Sequence, residues 1–369
     1  MDRTDREKIL VVQTSFLGDV VLTTPLLTEI RRRFPSAELS VLCTPLAKSL
    51  VEANPDIDEI ITDDEKKQGR GWGGLWRMAG DLRARGFSMA ISPHKSFRSG
   101  LLLFLAGIPC RIGFRQSSSF FFYHSLVHRD PGRHDVERNL SILGPLGVDL
   151  ANCPVRLRVE VPSTVSEEVA RVFESEGIGS NDGTIVFGLN PGSVWPTKRW
   201  STERYAELMK GLKERYHRCE FLLFGAPENR RTIEEIQERS GHIGTSLAGR
   251  IGLRELPCAL DRCDVFITND SGPMHVAVAR GIPVIAIFCA TTPALGFYPY
   301  SSRAVVLEKN LHCRPCSSHG GRRCPLGTED CIHLIKADDV LRGVDYLLNL
   351  EPCAGAEREN RPMPHFLTL

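Results

Sequence analysis

Short apolar runs alternate with longer amphipathic ones along most of this chain, and that rhythm constrains its fold more than any other feature. Lys8 to Gln13 is a near-continuous apolar run, and Val20 to Phe34 carries apolar residues at helical spacing. The alternation continues through Glu38 to Cys43, Leu46 to Ala53, Ile57 to Thr62, Leu75 to Arg85 and Phe87 to Ser92. A strand apolar on both faces must be covered on both faces, so the pattern predicts a parallel sheet between two layers of helices. Phe97 to His128 is looser, with a helix-like Leu101 to Ala106 and a Ser-Phe stretch, and Val136 to Leu146 reads as a helix.

The texture changes between Leu150 and Thr164, where Asn152, Pro154 and Pro162 interrupt. A second series then begins. Strands are expected at Thr184–Asn190, Glu220–Phe224, Asp264–Thr268 and Pro283–Phe288. Helices are expected at Glu203–Tyr216, Asn229–Arg239, Leu253–Leu260, Met274–Ala279 and Asp338–Leu348. The prediction is an α/β protein of two Rossmann-like, doubly wound domains, residues 1–160 and 161–350, facing a central cleft. Ligands of such sheets sit beyond the carboxyl ends of the strands. Residues 351–369, rich in proline and mixed charge, are expected to form a mobile tail.

Composition narrows the function. Of 369 residues, 46 are Lys or Arg and 45 Asp or Glu, a net charge of +1 that lacks the basic excess of a nucleic-acid-coating protein. The charged start, Met1 to Lys8, leads into too short an apolar run for a signal peptide, and no window approaches the ~20 apolar residues of a membrane span. Twelve cysteines without an export signal imply reduced thiols and a cytoplasmic location.

Four segments carry candidate chemistry. Gln13-Thr14-Ser15-Phe16-Leu17-Gly18-Asp19 follows the first strand and opens a helix, setting Asp19 at the cleft edge, although Asp is also an ordinary helix cap. It is not a G-x-G-x-x-G dinucleotide fingerprint. Asn190-Pro191-Gly192-Ser193, followed by Lys198 and Arg199, combines turn N–H groups, a hydroxyl and positive charge, a composition suited to a diphosphate. Glu228, just past Gly225-Ala226-Pro227, could accept from a ribose diol or simply cap a helix. Asn269-Asp270-Ser271-Gly272-Pro273-Met274-His275 is a strand–turn–helix junction whose N–H groups could hold an anion against the helix dipole.

Two further clusters are less directed. Cys313-x2-Cys316-x7-Cys324-x6-Cys331 could hold a structural metal, but only one close pair exists, and a merely cysteine-rich loop is the competing reading. His94, Lys95, Arg98, Arg111, Arg115, Arg129, Arg133 and Arg138 form a basic stretch with few acids, suited to an anionic acceptor or an anionic membrane surface, or simply to a solvated face.

Taken together, Gly18-Asp19, the Asn190-to-Trp200 segment and Asn269-to-His275 resemble glycosyltransferase family 9, the lipopolysaccharide heptosyltransferases, closest in pattern to the heptosyltransferase II type. Pro93-His94-Lys95-Ser96 and Arg111-Ile112-Gly113-Phe114 belong to the same resemblance, which runs from about Lys8 to Leu348. It implies a GT-B fold and inverting transfer of L-glycero-D-manno-heptose from ADP-heptose to the lipid A–core acceptor. Asp19 would be the general base. Ser193, Lys198, Glu228, Asp270, Ser271, Gly272 and His275 would bind the donor. Lys95, Arg98 and Arg115 from the basic stretch would meet the anionic acceptor. No cofactor and no nucleic acid are implied, and peripheral contact with the inner membrane is expected. The alternatives are a GT-B transferase or epimerase using another nucleotide sugar, and a metal-binding scaffold derived from such an enzyme.

Overall fold

A computed structural model describes residues 7–64, 71–150, 153, 155–179, 183–350 and 362–369. The chain divides into two compact units, Met1–Glu160 and Val161–Leu369.

Unit 1 holds strands β1 (Lys8–Gln13), β2 (Glu38–Cys43), β3 (Glu59–Thr62), β4 (Met89–Ser92), β5 (Cys110–Phe114) and β6 (Ser125–Val127). Its helices are α1 (Leu17–Arg33), α2 (Pro45–Val51), α3 (Trp72–Arg85), α4 (Phe97–Leu105) and α5 (Asp135–Ser141). The strands lie parallel in the order β3-β2-β1-β4-β5-β6. Alternation along β1 sends Ile9 and Val11 into one core, with Leu26, Leu27 and Ile30 of α1. Leu10 and Val12 enter the opposite core, with Leu75, Met78 and Leu102. A central strand buried on both faces is what made the near-continuous apolar run readable.

Unit 2 repeats the plan. Its strands are β7 (Ile185–Asn190), β8 (Cys219–Leu223), β9 (Thr245–Ser246), β10 (Val265–Asn269), β11 (Val284–Phe288), β12 (Ala304–Glu308) and β13 (His365–Thr368). Its helices are α6 (Ser163–Ser175), α7 (Thr202–Arg215), α8 (Arg230–Ser240), α9 (Leu256–Leu260), α10 (Gly272–Ala279), α11 (Asp330–His333) and α12 (Ala337–Asn349). The parallel order is β13-β12-β11-β10-β7-β8-β9. In both units the order reverses beside the first strand, between β1 and β4 and between β7 and β10. That reversal opens a crevice at the carboxyl edge where ligands of such sheets bind.

Several expectations need correction. The helix expected over Val136–Leu146 ends at Ser141 and yields to a short 3-10 turn, Gly144–Leu146, because Pro145 has no N–H to continue it. Part of the tail expected over 351–369 is ordered: residues 351–361 lie outside the described residues, but β13 adds in parallel to β12, Val306 opposite Phe366. Strand β12 and helix α6 fall outside the expected elements. Among the described residues, no helix is long and apolar enough to cross a membrane.

Candidate active site

At the carboxyl edge of unit 1 the chain leaves β1 at Gln13 and enters α1 through Thr14, Ser15 and Phe16. Asp19 is the third residue of α1. Its carboxylate accepts the Phe16 N–H at 3.2 Å and the Ser15 hydroxyl at 2.7 Å. Ser15 Oγ is also 2.7 Å from Gln13 Oε1, and its single proton can serve only one of these oxygens at a time. Gln13 Nε2 donates to Thr23 Oγ1, whose hydroxyl donates to the Asp19 carbonyl. Burial, reinforced by the Asp135 carboxylate, lifts Asp19 from 3.8 to about 6, against the opposing pull of Ser15, Phe16 and Arg129. The site therefore holds a carboxylate that can both take up and release a proton near neutrality.

The loop after β4 brings His94 and Lys95 to the same edge. His94 Nδ1 lies 3.0 Å from Thr14 Oγ1 and 3.1 Å from Ser99 Oγ, and burial, then Lys95, favours its neutral ring. Burial, then Arg129, also lowers the Lys95 pKa, while Asp135 and Asp19 oppose the shift. Asp135, the first residue of α5, pairs with Arg129 and stands 3.8 Å from Arg138; burial raises its pKa nonetheless. Lys95 thus shares the electrostatic environment of Asp19. The other two expected acceptor residues follow neighbouring strand ends of the same sheet. Arg98 is engaged with Asp63 at 2.9 Å, and Arg115 is exposed just past β5.

In unit 2 the loops after β7 and β10 are stitched together by asparagines. Asn190 Nδ2 donates to Thr268 Oγ1 at 3.1 Å and Ser271 Oγ at 3.2 Å. Asn269 Nδ2 donates to the Pro191 carbonyl at 2.8 Å, and its Oδ1 accepts the Trp200 N–H at 3.0 Å. These bonds set Lys198, on the 3-10 turn Pro196–Lys198, against the turn that starts α10. Lys198 Nζ lies 2.7 Å from Asp270 Oδ2, which also accepts the Thr291 hydroxyl at 2.6 Å. His275 is buried, and burial, then Lys198, drops its pKa to about 3, so the ring is neutral. Its Nδ1 is a buried polar atom without a hydrogen-bond partner among the described residues. Ser271 precedes α10 and Gly272 is its first residue. The Ser193 carbonyl accepts Arg199 Nε at 2.8 Å, fixing that turn.

Glu228 is exposed on the turn Pro227–Asn229. Its neighbour Asn229 is wedged against the Gly192 turn: a Cβ on Gly192 would stand 2.6 Å from Asn229 Oδ1. Glu228 and the Ser193 turn are therefore neighbours. A lysine, a helix N-terminus and turn N–H groups at one edge suit a diphosphate, with a carboxylate to one side for a ribose.

In the cysteine-rich segment, Cys313, Cys316, Cys324 and Cys331 lie within electrostatic reach of one another. Among the described residues, no group of three or more His, Cys, Asp or Glu is arranged to hold a metal ion. Cys331 is buried in the core of unit 2, its thiol pushed up to about 11 by burial. Cys324 sits in a turn whose N–H groups, led by Glu329, lower its pKa. The segment braces the loops around Lys198. Gly320, at φ +85°, leaves room for the lysine stem: a Cβ there would lie 2.8 Å from Lys198 Cγ. Gly321 N–H donates to Thr197 Oγ1 at 2.8 Å. The Arg314 guanidinium, almost fully buried, donates to the carbonyls of Phe288, Cys289, Thr291 and Lys309 and pairs with Glu308.

Sequence reasoning missed Ser15, Asp135, Thr291 and Arg314 as functional residues. Ser15 lies inside a recognised segment, whereas Thr291 and Arg314 reach Asp270 and its neighbours only through the fold.

Comparisons with known proteins agree with this architecture. The profile of glycosyltransferase family 9 (heptosyltransferase) matches residues 75–325. An Escherichia coli protein described as lipopolysaccharide heptosyltransferase 3 is 26% identical over 343 residues, 90% of this chain and 97% of its own. Lipopolysaccharide heptosyltransferase 2 of Salmonella typhimurium is 28% identical over 301 residues, covering 78% and 84%. The crystal structure of a family 9 glycosyl transferase from Veillonella parvula superposes with a TM-score of 0.82 at 26% identity, over 94% of this chain and 98% of that one.

Proposed function

Since the chain belongs to glycosyltransferase family 9, we propose that it moves L-glycero-D-manno-heptose from ADP-heptose to the lipid-linked inner core of lipopolysaccharide, as a heptosyltransferase of the second type. The observation that carries this reading is Asp19, a carboxylate lifted to about 6 at the carboxyl edge of β1. Ionised Asp19 takes the proton of an acceptor hydroxyl while that oxygen forms its bond to the anomeric carbon. The bond from that carbon to the diphosphate breaks on the opposite face, ADP departs, and the configuration inverts. Lys198 and the first turn of α10 balance charge growing on the leaving diphosphate. Ser193, Ser271 and Gly272 position it, Asp270 and His275 set the Lys198 surroundings, and Glu228 takes the ribose. Lys95, supported by Arg98 and Arg115, meets acidic groups of the acceptor. The reaction would run at the cytoplasmic face of the inner membrane, where a lipid acceptor is presented.

The test is ADP release from ADP-heptose on Kdo-lipid A acceptors with and without one heptose attached, using the wild type and Asp19→Ala. Release that needs the singly heptosylated acceptor and collapses in the variant is the expected result. Turnover only on a different core acceptor would exclude the second type and favour another, such as the heptosyltransferase 3 that two relatives are described as. No turnover of ADP-heptose on any core acceptor by folded protein would overturn the donor assignment.

A further inference from the structure

Unit 1 carries aromatic surface that its own fold does not cover. Trp72, Trp76, Phe97, Phe104, Phe120 and Phe121 each expose between 45% and 68% of their surface. Single exposed apolar residues are ordinary, but a contiguous set is not. The phenylalanines form one ribbon. Phe104 stacks on Phe122 at 5.0 Å, Phe122 meets Phe121 at 4.4 Å, and Phe121 meets Phe120 at 5.5 Å and Phe97 at 6.1 Å. Trp72 and Trp76 lie on the outer stripe of α3, and Arg83 follows on the same stripe at helical spacing. Arg83 Nη2 donates to the Leu105 carbonyl at 2.5 Å, tying the end of that stripe to the Phe104 turn.

The charge beside this surface has one sign. From Leu82 to Arg129 the chain has seven Lys or Arg residues and no Asp or Glu. Arg85, Arg98 and Arg129 pair with carboxylates from outside that stretch. Arg111 instead spends its donors on the Ile108 and Phe122 carbonyls and on His124, with its guanidinium 5.6 Å over the Phe104 ring. Arg111 and Arg83 thus bring positive charge to the ribbon while their donors engage carbonyls rather than carboxylates. Indole and phenyl rings interleaved with arginine is the composition of a protein surface seated at lipid headgroups.

We propose that this aromatic and arginine-bearing face docks on an anionic lipid bilayer. The ribbon is built onto the loop that carries Lys95: the Ser117 and Ser118 hydroxyls both donate to the Lys95 carbonyl at 3.1 Å, and Phe97 lies two residues beyond. Docking would therefore hold the carboxyl edge of β4 close to the headgroups. Its use in catalysis rests on the lipid-linked acceptor proposed above, whereas the docking itself does not.

The test uses the full chain in co-sedimentation with vesicles of phosphatidylcholine alone or with about one-third phosphatidylglycerol, a fraction that makes the surface strongly anionic. Binding to the anionic vesicles, weakened by added salt, is expected. Trp72→Ser with Trp76→Ser, and separately Phe121→Ser, should each weaken it about tenfold or more, as expected for losing buried rings. Both variants alter exposed residues, and hydrogen-exchange protection of β1 and β4 would verify that they fold. Transfer to a delipidated, water-soluble acceptor should be unchanged in them, which separates failure of docking from failure of the transferase reading. Equal binding by variants and wild type, or no binding to either vesicle, would overturn the proposal. Salt-insensitive self-association abolished by the same substitutions would also overturn it, assigning the face to a second copy of the chain.

Discussion

Replacing Asp19 by Asn isolates the cost of holding a charge at the β1–α1 turn. The folded carboxyl sits at about 6 against 3.8 without its surroundings, a shift of roughly 2 pK units. At ~1.4 kcal/mol per unit the ionised form costs the fold up to about 3 kcal/mol. The sign follows from the raised folded value. Below pH 3.8 both folded and unfolded chains are protonated and nothing is lost. As pH climbs to about 6 the unfolded chain ionises first, stability falls, and above 6 the full cost persists. The substituted carboxamide cannot ionise, but it needs a partner beside Ser15 and Gln13, which offsets ~1 kcal/mol. Asp19→Asn should thus be about 1–3 kcal/mol more stable than wild type at pH 7.5 and nearly equal to it at pH 4. Denaturant-dependent hydrogen exchange of β1 and α1 peptides reads unit 1 by itself and suits a chain of two units. The same variant should lose about 10²- to 10⁴-fold in turnover, the range for removing a general base. The wild-type kcat/KM should fall on the acid side with a midpoint near 6. A variant as active as wild type, or a stability difference that does not change between pH 4 and 7.5, would refute the argument.

Three other perturbations address unit 2. Lys198→Met should raise the donor KM more than tenfold and leave Asp270 a partly uncompensated charge; a cycle with Asp270→Asn should give a coupling of about 1–3 kcal/mol in stability, and additivity would contradict the buried pair. Gly320→Ala forces a side chain into a positive-φ position 2.8 Å from Lys198 Cγ, so donor affinity should fall while a donor-independent probe, exchange protection of β7, stays near wild type. Arg314→Met strands carbonyls on the β11 turn and the Glu308 carboxylate; a loss of roughly 3–5 kcal/mol in unit 2 stability by chemical denaturation is expected, with a raised donor KM in whatever folds.

The sheet cores were legible because their information is local. A strand such as β11, whose five residues are all buried and all apolar, shows its burial in any short window. β12 is apolar over four of its five residues, but it follows Ser301, Ser302 and Arg303 without an intervening α-helix, so the alternation that flagged its neighbours was missing. β13 could not be read at all. Four residues after a proline-rich stretch gain their strand only from the edge of β12.

The site divides along the same line. Asp19, Lys198 and Asp270 each follow a central strand at the point where the strand order reverses; position marks their segments, while the role expected of Asp19 came from the family resemblance. What sets their chemistry arrives from elsewhere in the chain. Asp135 helps raise Asp19 from 116 positions away, Thr291 donates to Asp270 across 21, and Gly320 shapes the space for Lys198 across 122. None of these residues is unusual in its own sequence window. The cysteines carried the opposite signal: they are conspicuous by spacing, yet one is drawn into the core while the residues between them, Arg314, Gly320 and Gly321, do the bracing. The four thiols come within electrostatic reach of one another, yet among the described residues no three His, Cys, Asp or Glu side chains are arranged as a metal site. Here the backbone around the four thiols is already committed to holding the turns that carry Lys198 and Thr291, so substitutions between the cysteines should disturb donor binding more than substitution of Cys313 or Cys324, a ranking that donor KM values measured side by side would check.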